Sequence, residues 1–255
     1  MRHIVATPAI VLRRVAYGEA DLVVTLLGLE TGRVSALARG ARKSSRRFAG
    51  GLGPGLAGDA RLRDRPGADL MGFESFDARG DRAGLSGDIA KAAHAAYAVE
   101  LCDRLCPPRH PERSVFAWLD EFLSRLDAGT ATAERLRVFE LGLLRELGIG
   151  PSLDRCVVCD RGDLGVENVR WHPDRGGVVC HNCLGRGDLM SGQTRLELER
   201  LARTPLAGAD TPALDRDLGV ACRRAVLALL REHVHGPLRS LDFIEKMSGS
   251  MSGSR

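Results

Sequence analysis

Residues 30–48 read ETGRVSALARGARKSSRRF. Glu30-Thr31-Gly32-Arg33 has the composition of a hairpin turn and leads into a strand at Val34–Ala38. The next strand-forming run begins only at Ala60, after a long Gly/Ser-rich basic connection. Working outward, Ile4–Leu12 and Leu22–Leu29 are β-rich apolar runs joined by a turn at Tyr17–Asp21. Ala60–Arg65 and Leu70–Phe76 flank a second turn cluster, Pro66-Gly67-Ala68-Asp69. Short strands with a long link after the third fit a small Greek-key barrel of the oligonucleotide-binding (OB) type. Strand pattern alone also suits an SH3-like barrel.

From about residue 82 the apolar period becomes helical. Ser86 is the expected cap of a helix running to Cys106, where Pro107-Pro108 ends it. Val115 to Leu126 and Leu136 to Leu147 mark two more helices, the latter with Glu140 as a polar flank. Gly148 and Gly150-Pro151 stop it. After a cysteine-bearing segment, Thr194–Ala202, Ala213–Val234 and Leu238–Met247 read as helices. The expected architecture is α+β and multidomain: an OB-fold at 1–80, a helical domain at 81–247 with a knuckle segment at about 153–190, and a disordered tail at 248–255.

Composition narrows the partners. Residues 1–80 hold 13 Lys/Arg against 8 Asp/Glu, whereas the remainder holds 24 against 25, so the net charge of +4 lies wholly in the first third. That is the asymmetry of a domain that meets a polyanion. Arg13 and Arg14 close the first apolar run without a small-residue cleavage site, which argues against a signal peptide. No stretch approaches the ~20 apolar residues of a membrane span. Seven cysteines, four of them in metal spacing, suit a reducing compartment, so a cytoplasmic protein is expected.

Cys156, Cys159, Cys180 and Cys183 form two C-x-x-C knuckles, and four thiolates in such pairs can close a tetrahedral shell around Zn²⁺. Trp171, His172 and Gly176-Gly177 between them suit a hairpin that returns the second knuckle to the first. A shell of four protein ligands leaves no open position for substrate, so one structural zinc is expected. His172 and His181 are spare imidazoles nearby. Cys102 and Cys106 are spaced for one helix face and read, with Cys222, as small buried hydrophobes. His110-Pro111-Glu112 matches half of a zinc deaminase motif, but Arg155 stands where that motif has proline before Cys156. No phosphate-binding P-loop and no nucleophile elbow is present.

The second constellation is Arg39, Arg42, Lys43, Arg46 and Arg47. No acidic residue occurs between Glu30 and Asp59, so nothing in the local sequence neutralises this loop. Arg61, Arg63 and Arg65 alternate on a strand and add a basic stripe on one face. Such a surface suits the phosphate backbone of single-stranded DNA, with little base stacking because aromatic residues are few.

Taken in order, several motifs resemble the RecO family of bacterial recombination mediators. They are Gly18-Glu19-Ala20-Asp21, Gly32-Arg33, Arg39-Gly40-Ala41-Arg42-Lys43 with Phe48, Leu147-Gly148 to Pro151 before Cys156, Gly176-Gly177-Val178-Val179-Cys180, and Arg239-Ser240-Leu241 with Phe243. The resemblance implies an N-terminal OB-fold and a helical domain bearing the zinc knuckles. It also implies non-enzymatic work in DNA repair: binding single-stranded and duplex DNA, annealing complementary strands, and acting with RecR to load RecA on strands coated by single-strand binding protein. By position it makes the loop from Arg39 to Arg47 DNA-contacting and the four cysteines metal-binding. The chain departs from the pattern at Gly50–Gly55, which is unusually glycine-rich. An RNA-binding or transcription-associated zinc protein is the alternative reading, and a zinc-dependent enzyme a third.

Overall fold

The structure is a computed structural model that describes residues 4–44, 46–49, 51–64, 67–183, 186–209 and 214–252. Strand β1 (Ile4–Tyr17) pairs antiparallel with β2 (Asp21–Gly28) on one side and with β5 (Ala57–Arg63) on the other. β2 continues to β3 (Gly32–Ala38), and β5 to β6 (Met71–Ala78). A parallel pairing of Ala36 with Met71 and Leu37 with Gly72 closes this sheet into a barrel. The result is the OB-like order expected from the long link after the third strand. A two-residue strand within that link, β4 (Phe48–Ala49), adds itself in parallel to β6.

Alternation builds the barrel core. In β3 every second residue is buried, so Val34, Ala36 and Ala38 face Val11, Val24, Leu26, Leu62, Phe73 and Phe76 inside. Phe73 stands edge-on to both Phe48 and Phe76, with ring centroids 5.3 and 6.2 Å away. The glycine-rich segment contributes to this core. Gly51 and Gly55 take left-handed φ values of +84° and +86°, and the bend delivers Leu52 among the core residues. The Gly55 N–H then donates to the Val11 carbonyl at 2.7 Å. β1 also runs five residues past Leu12, where the apolar pattern stops. Its last turn of sequence, Arg13–Tyr17, pairs with β2 but is exposed.

The helical boundary differs from expectation in one detail. Ser86 ends a short helix α1 (Ala83–Ser86), donating its hydroxyl to the Ala83 carbonyl. The following helix α2 (Ile89–Leu105) is capped instead by Asp88, whose carboxylate accepts from the Ala90 and Lys91 N–H groups. Asp and Ser cap about equally well, so the choice follows position: Asp88 immediately precedes the helix, while the Ser86 hydroxyl is already bonded within α1. After α3 (Arg113–Ala128) the chain enters a second compact unit. One unit comprises Met1–Thr130 with Pro237–Arg255, the other Ala131–Gly236, so the first packing unit extends beyond residue 80. Arg33 accounts for part of this: its Nε donates to the Cys106 carbonyl at 2.8 Å, and its own carbonyl accepts from Arg109 N–H, fastening the end of α2 to β3.

The second unit contains α4 (Ala133–Glu146), a four-stranded sheet, α5 (Gly192–Arg203) and α6 (Arg216–His233). Glu140 is not a solvated flank of α4. It is fully buried and pairs with Arg137, itself 4% exposed, at 2.7 Å. An isolated glutamate in an apolar stripe reads as exposed because burying a charge is costly, and the partner three residues earlier removes that objection. α6 starts at Arg216 on an Asp215 cap, whereas Ala213 lies outside the described residues. The last helix, α7 (Arg239–Ser252), belongs to the first unit and runs past Met247 into the segment expected to be disordered. Ser and Gly weaken a helix by about 1 kcal/mol or less each, without the block that proline imposes.

Candidate metal centre and nucleic-acid interface

Strand β7 (Ser152–Cys156) ends on the first cysteine, and a tight turn closed by the Asp160 N–H on the Cys156 carbonyl at 2.9 Å holds Cys159 beside it. β8 (Val169–His172) and β9 (Gly177–Val179) form the expected hairpin, turning at Pro173–Arg175 and Gly176. β9 lies parallel to β7, so Cys180 emerges next to Cys156. β10 (Asp188–Met190) completes the sheet against β8. The sequence therefore makes one site out of two knuckles by strand pairing.

The four Sγ atoms lie within 4.8 Å of one another, and Cys159 Sγ is 3.7 Å from Cys180 Sγ. A tetrahedron with Zn–S bonds of ~2.3 Å has edges of about 3.8 Å, so the sulfurs fit a metal of that size. Cys156 Sγ accepts from the N–H groups of Val158 and Cys180, each at 3.4 Å. Burial raises its pKa, but the backbone donors of Cys180, Cys159 and Val158 outweigh this and bring the thiol down to about 6. Cys183 goes the other way, to about 12, through its hydrogen bond with Cys159 and then through burial. A bound divalent cation would remove that spread, because a coordinating thiol is deprotonated outright. Outside the sulfurs, Glu167 accepts from Arg161 at 2.9 Å and His181 Nδ1 lies 2.7 Å from it. His172 lies 3.5 Å from Asp174. Neither imidazole joins the sulfur group. His110 and Glu112 pair with each other at 3.0 Å, outside the metal-capable cluster found among the described residues.

The basic loop follows β3 directly. Arg39, Arg42, Lys43, Arg46 and Arg47 are all exposed. Its shape is set by backbone bonds: Gly40 N–H donates to Asp21 Oδ1 at 2.7 Å, Arg42 N–H to the Ala20 carbonyl at 3.0 Å, and Lys43 N–H to the Gly40 carbonyl. The Arg47 guanidinium donates to the Arg39 carbonyl and lies 5.3 Å from the Phe48 ring centroid. The stretch lacks acids in sequence, yet Asp21 on β2 reaches it in space. That approach requires the β1–β2 turn to fold onto the loop, which the linear sequence does not show.

Beside the loop is a cleft of about 460 Å³ lined by Arg14, Ala16, Leu22, Arg42, Phe48 and Leu52. Arg14 was absent from the sequence-derived set because β1 was expected to end at Leu12; once the strand is extended, alternation places it with Ala16. Arg61 is exposed on β5, whereas Arg63 is half-buried and pairs with Glu74 at 3.1 Å. The two therefore do not form a stripe of equally free cations. Arg65 lies outside the described residues. Among the described residues no helix is long and apolar enough to cross a membrane.

Two family models divide the chain where its strands give way to helices. Residues 1–79 match Recombination protein O N terminal, and residues 86–242 match Recombination protein O C terminal. The DNA repair protein RecO of Anaeromyxobacter sp. strain Fw109-5 is 42% identical over 243 residues, covering 93% of this chain and 94% of that protein. The RecO of Myxococcus xanthus is 35% identical over 94% of this chain and 96% of its own length. That of Geobacter sulfurreducens is 34% identical over 96% of this chain and 99% of its own. These relatives are named for DNA repair and not for an enzymatic reaction. The agreement of an OB-like barrel, a helical part with a cysteine cluster and near-complete relatives leads to one assignment: the chain belongs to the RecO family of DNA repair proteins.

Proposed function

We propose that this protein is a mediator of DNA repair and homologous recombination that binds single-stranded and duplex DNA through its barrel. On this reading it anneals complementary strands and, with RecR, helps load RecA on DNA coated by single-strand binding protein. It would act in the bacterial cytoplasm, at the chromosome. The observation that carries the reading is the exposed run Arg39, Arg42, Lys43, Arg46 and Arg47, none of which pairs with a carboxylate among the described residues, although Arg42 and Arg47 donate to the Glu19 and Arg39 carbonyls. Arg61 adds another exposed cation on β5, and Arg63 contributes less because Glu74 offsets its charge.

Physically, annealing needs neutralisation of two phosphate backbones and tolerance of sequence, which guanidinium groups supply. Phe48 and Phe76 are buried, so binding is electrostatic more than it is base stacking. The metal of the cysteine cluster is taken to be one structural Zn²⁺, supported by the all-sulfur donor set and its closed geometry. The test is single-strand binding across salt concentrations. Replacing Arg42, Lys43, Arg46 and Arg47 by alanine is expected to lower the slope of log K against log salt by up to about 3, at about 0.7 per lost contact with a single strand. An unchanged slope would remove the loop from the interface.

A further inference from the structure

β1 directs two adjacent arginines to opposite faces. Arg14 lines the cleft beside the basic loop, whereas Arg13 lines a second groove of about 750 Å³ bounded by β1, α2 and α7. Its apolar floor includes Leu12 and Val99, each 3% exposed, while Phe243 on α7 stands at its rim, 44% exposed. Four arginines border it: Arg13, Arg33, Arg104 and Arg239. Its two carboxylates are already engaged. Asp103 lies 3.2 Å from Arg13 Nε and 3.5 Å from Arg33. Glu100 accepts from the N–H groups of Arg239 and Ser240 at 3.2 and 2.9 Å, and from the Ser240 hydroxyl. Arg104 and Arg239 are exposed and have no carboxylate partner among the described residues. The groove thus keeps two guanidinium groups free beside an exposed ring.

We infer that this groove is a second nucleic-acid site, taking the phosphate backbone of another single strand on Arg104 and Arg239 with a base against Phe243. Guanidiniums along a groove and an accessible aromatic ring are the elements by which single strands are held without sequence preference. The inference rests on the DNA-binding reading of the basic loop and extends it. With sites on the two faces of β1, one molecule holds two strands, and their encounter becomes intramolecular at an effective concentration on the order of millimolar.

Native mass spectrometry with a short oligothymidine tests this on the full chain, with thermal melting as the control for folding. The wild type is expected to show species with one and with two strands. Arg104→Ala/Arg239→Ala/Phe243→Ala should retain the one-strand species and lose the two-strand species about tenfold. The salt slope of the second binding step should fall by about 1.4 in the Arg104→Ala/Arg239→Ala protein, at about 0.7 per lost contact. The loop variant should likewise keep one strand, and the combined variant none. A groove variant that still takes two strands overturns the inference, as does a wild type that binds one strand with normal salt dependence and never a second. A wild type that binds no strand defeats the DNA-binding reading itself. If the groove variant loses only an acidic peptide with an apolar end while keeping both strands, the groove serves a protein segment and the inference fails.

Discussion

The Sγ of Cys156 accepts a hydrogen bond from the backbone N–H of Cys180 at 3.4 Å, tying the end of β7 to the residue after β9. The knuckles are therefore joined through the protein itself, apart from any metal that the four sulfurs hold. Cys156→Ala should lower thermal stability far more than DNA affinity measured on the folded fraction. Chelator treatment of the wild type should shift the melting curve the same way. A Cys156→Ala protein that melts normally but binds DNA weakly would place the cysteines at the nucleic-acid interface.

Burial of Glu140 against Arg137 gives a second prediction. Glu140→Ala leaves a guanidinium buried beside a vanished partner and should cost about 3–5 kcal/mol in urea unfolding. Replacing both residues, Arg137→Met with Glu140→Leu, should recover most of that loss, because an apolar pair of similar volume avoids desolvating charge. If the double variant is as unstable as the single one, the pair has further obligatory partners.

Gly32 and Gly18 share nearly the same left-handed φ, +65° and +63°, in very different surroundings. A Cβ on Gly18 meets nothing within 4 Å, whereas one on Gly32 would lie 2.0 Å from the His110 carbonyl oxygen. Gly18→Ala should therefore cost only the conformational penalty of about 1–2 kcal/mol. Gly32→Ala should cost more than about 3 kcal/mol, since backbone must move. Equal melting temperatures for the two variants would contradict the close approach of residues 32 and 110.

Asp59 and Arg79 join β5 to the end of β6 through two hydrogen bonds, at 2.7 and 3.2 Å. The hydrogen bond from Arg79, opposed by some burial, holds the Asp59 carboxyl below its ordinary value of 3.8. A depressed folded pKa means the stabilisation is complete above the unfolded value and is lost as pH falls through the folded one. The pair is exposed, so screening limits it to about 1 kcal/mol at most. Asp59→Asn should thus destabilise slightly at neutral pH and not at all well below pH 3.8.

Much of this arrangement is legible in the chain because it follows from short-range rules. The long link after Ala38 marks the Greek-key crossing, and C-x-x-C spacing brings sulfurs together over three residues. What the chain conceals is set by strand pairing and burial. Asp21 bonding to Gly40 and Glu74 engaging Arg63 come from neighbouring strands, while Arg137 and Glu140 are close in sequence but are buried by the packing around their helix. Arg14 was hidden differently: an arginine pair looks like the end of an apolar strand, although a strand continues wherever its neighbour continues to bond it.

The return of α7 to the first unit has a consequence for synthesis. α2 cannot receive the Arg239 and Ser240 N–H groups on Glu100 until the ribosome has made all of Ala131–Gly236. During that interval the barrel is covalently complete through Thr130 while the flank of α2 that receives α7 remains bare. Chain order thus sets a delay in which an incomplete first unit coexists with a nascent second one. A ribosome stalled before residue 239 would hold the protein in that state, with its groove unwalled.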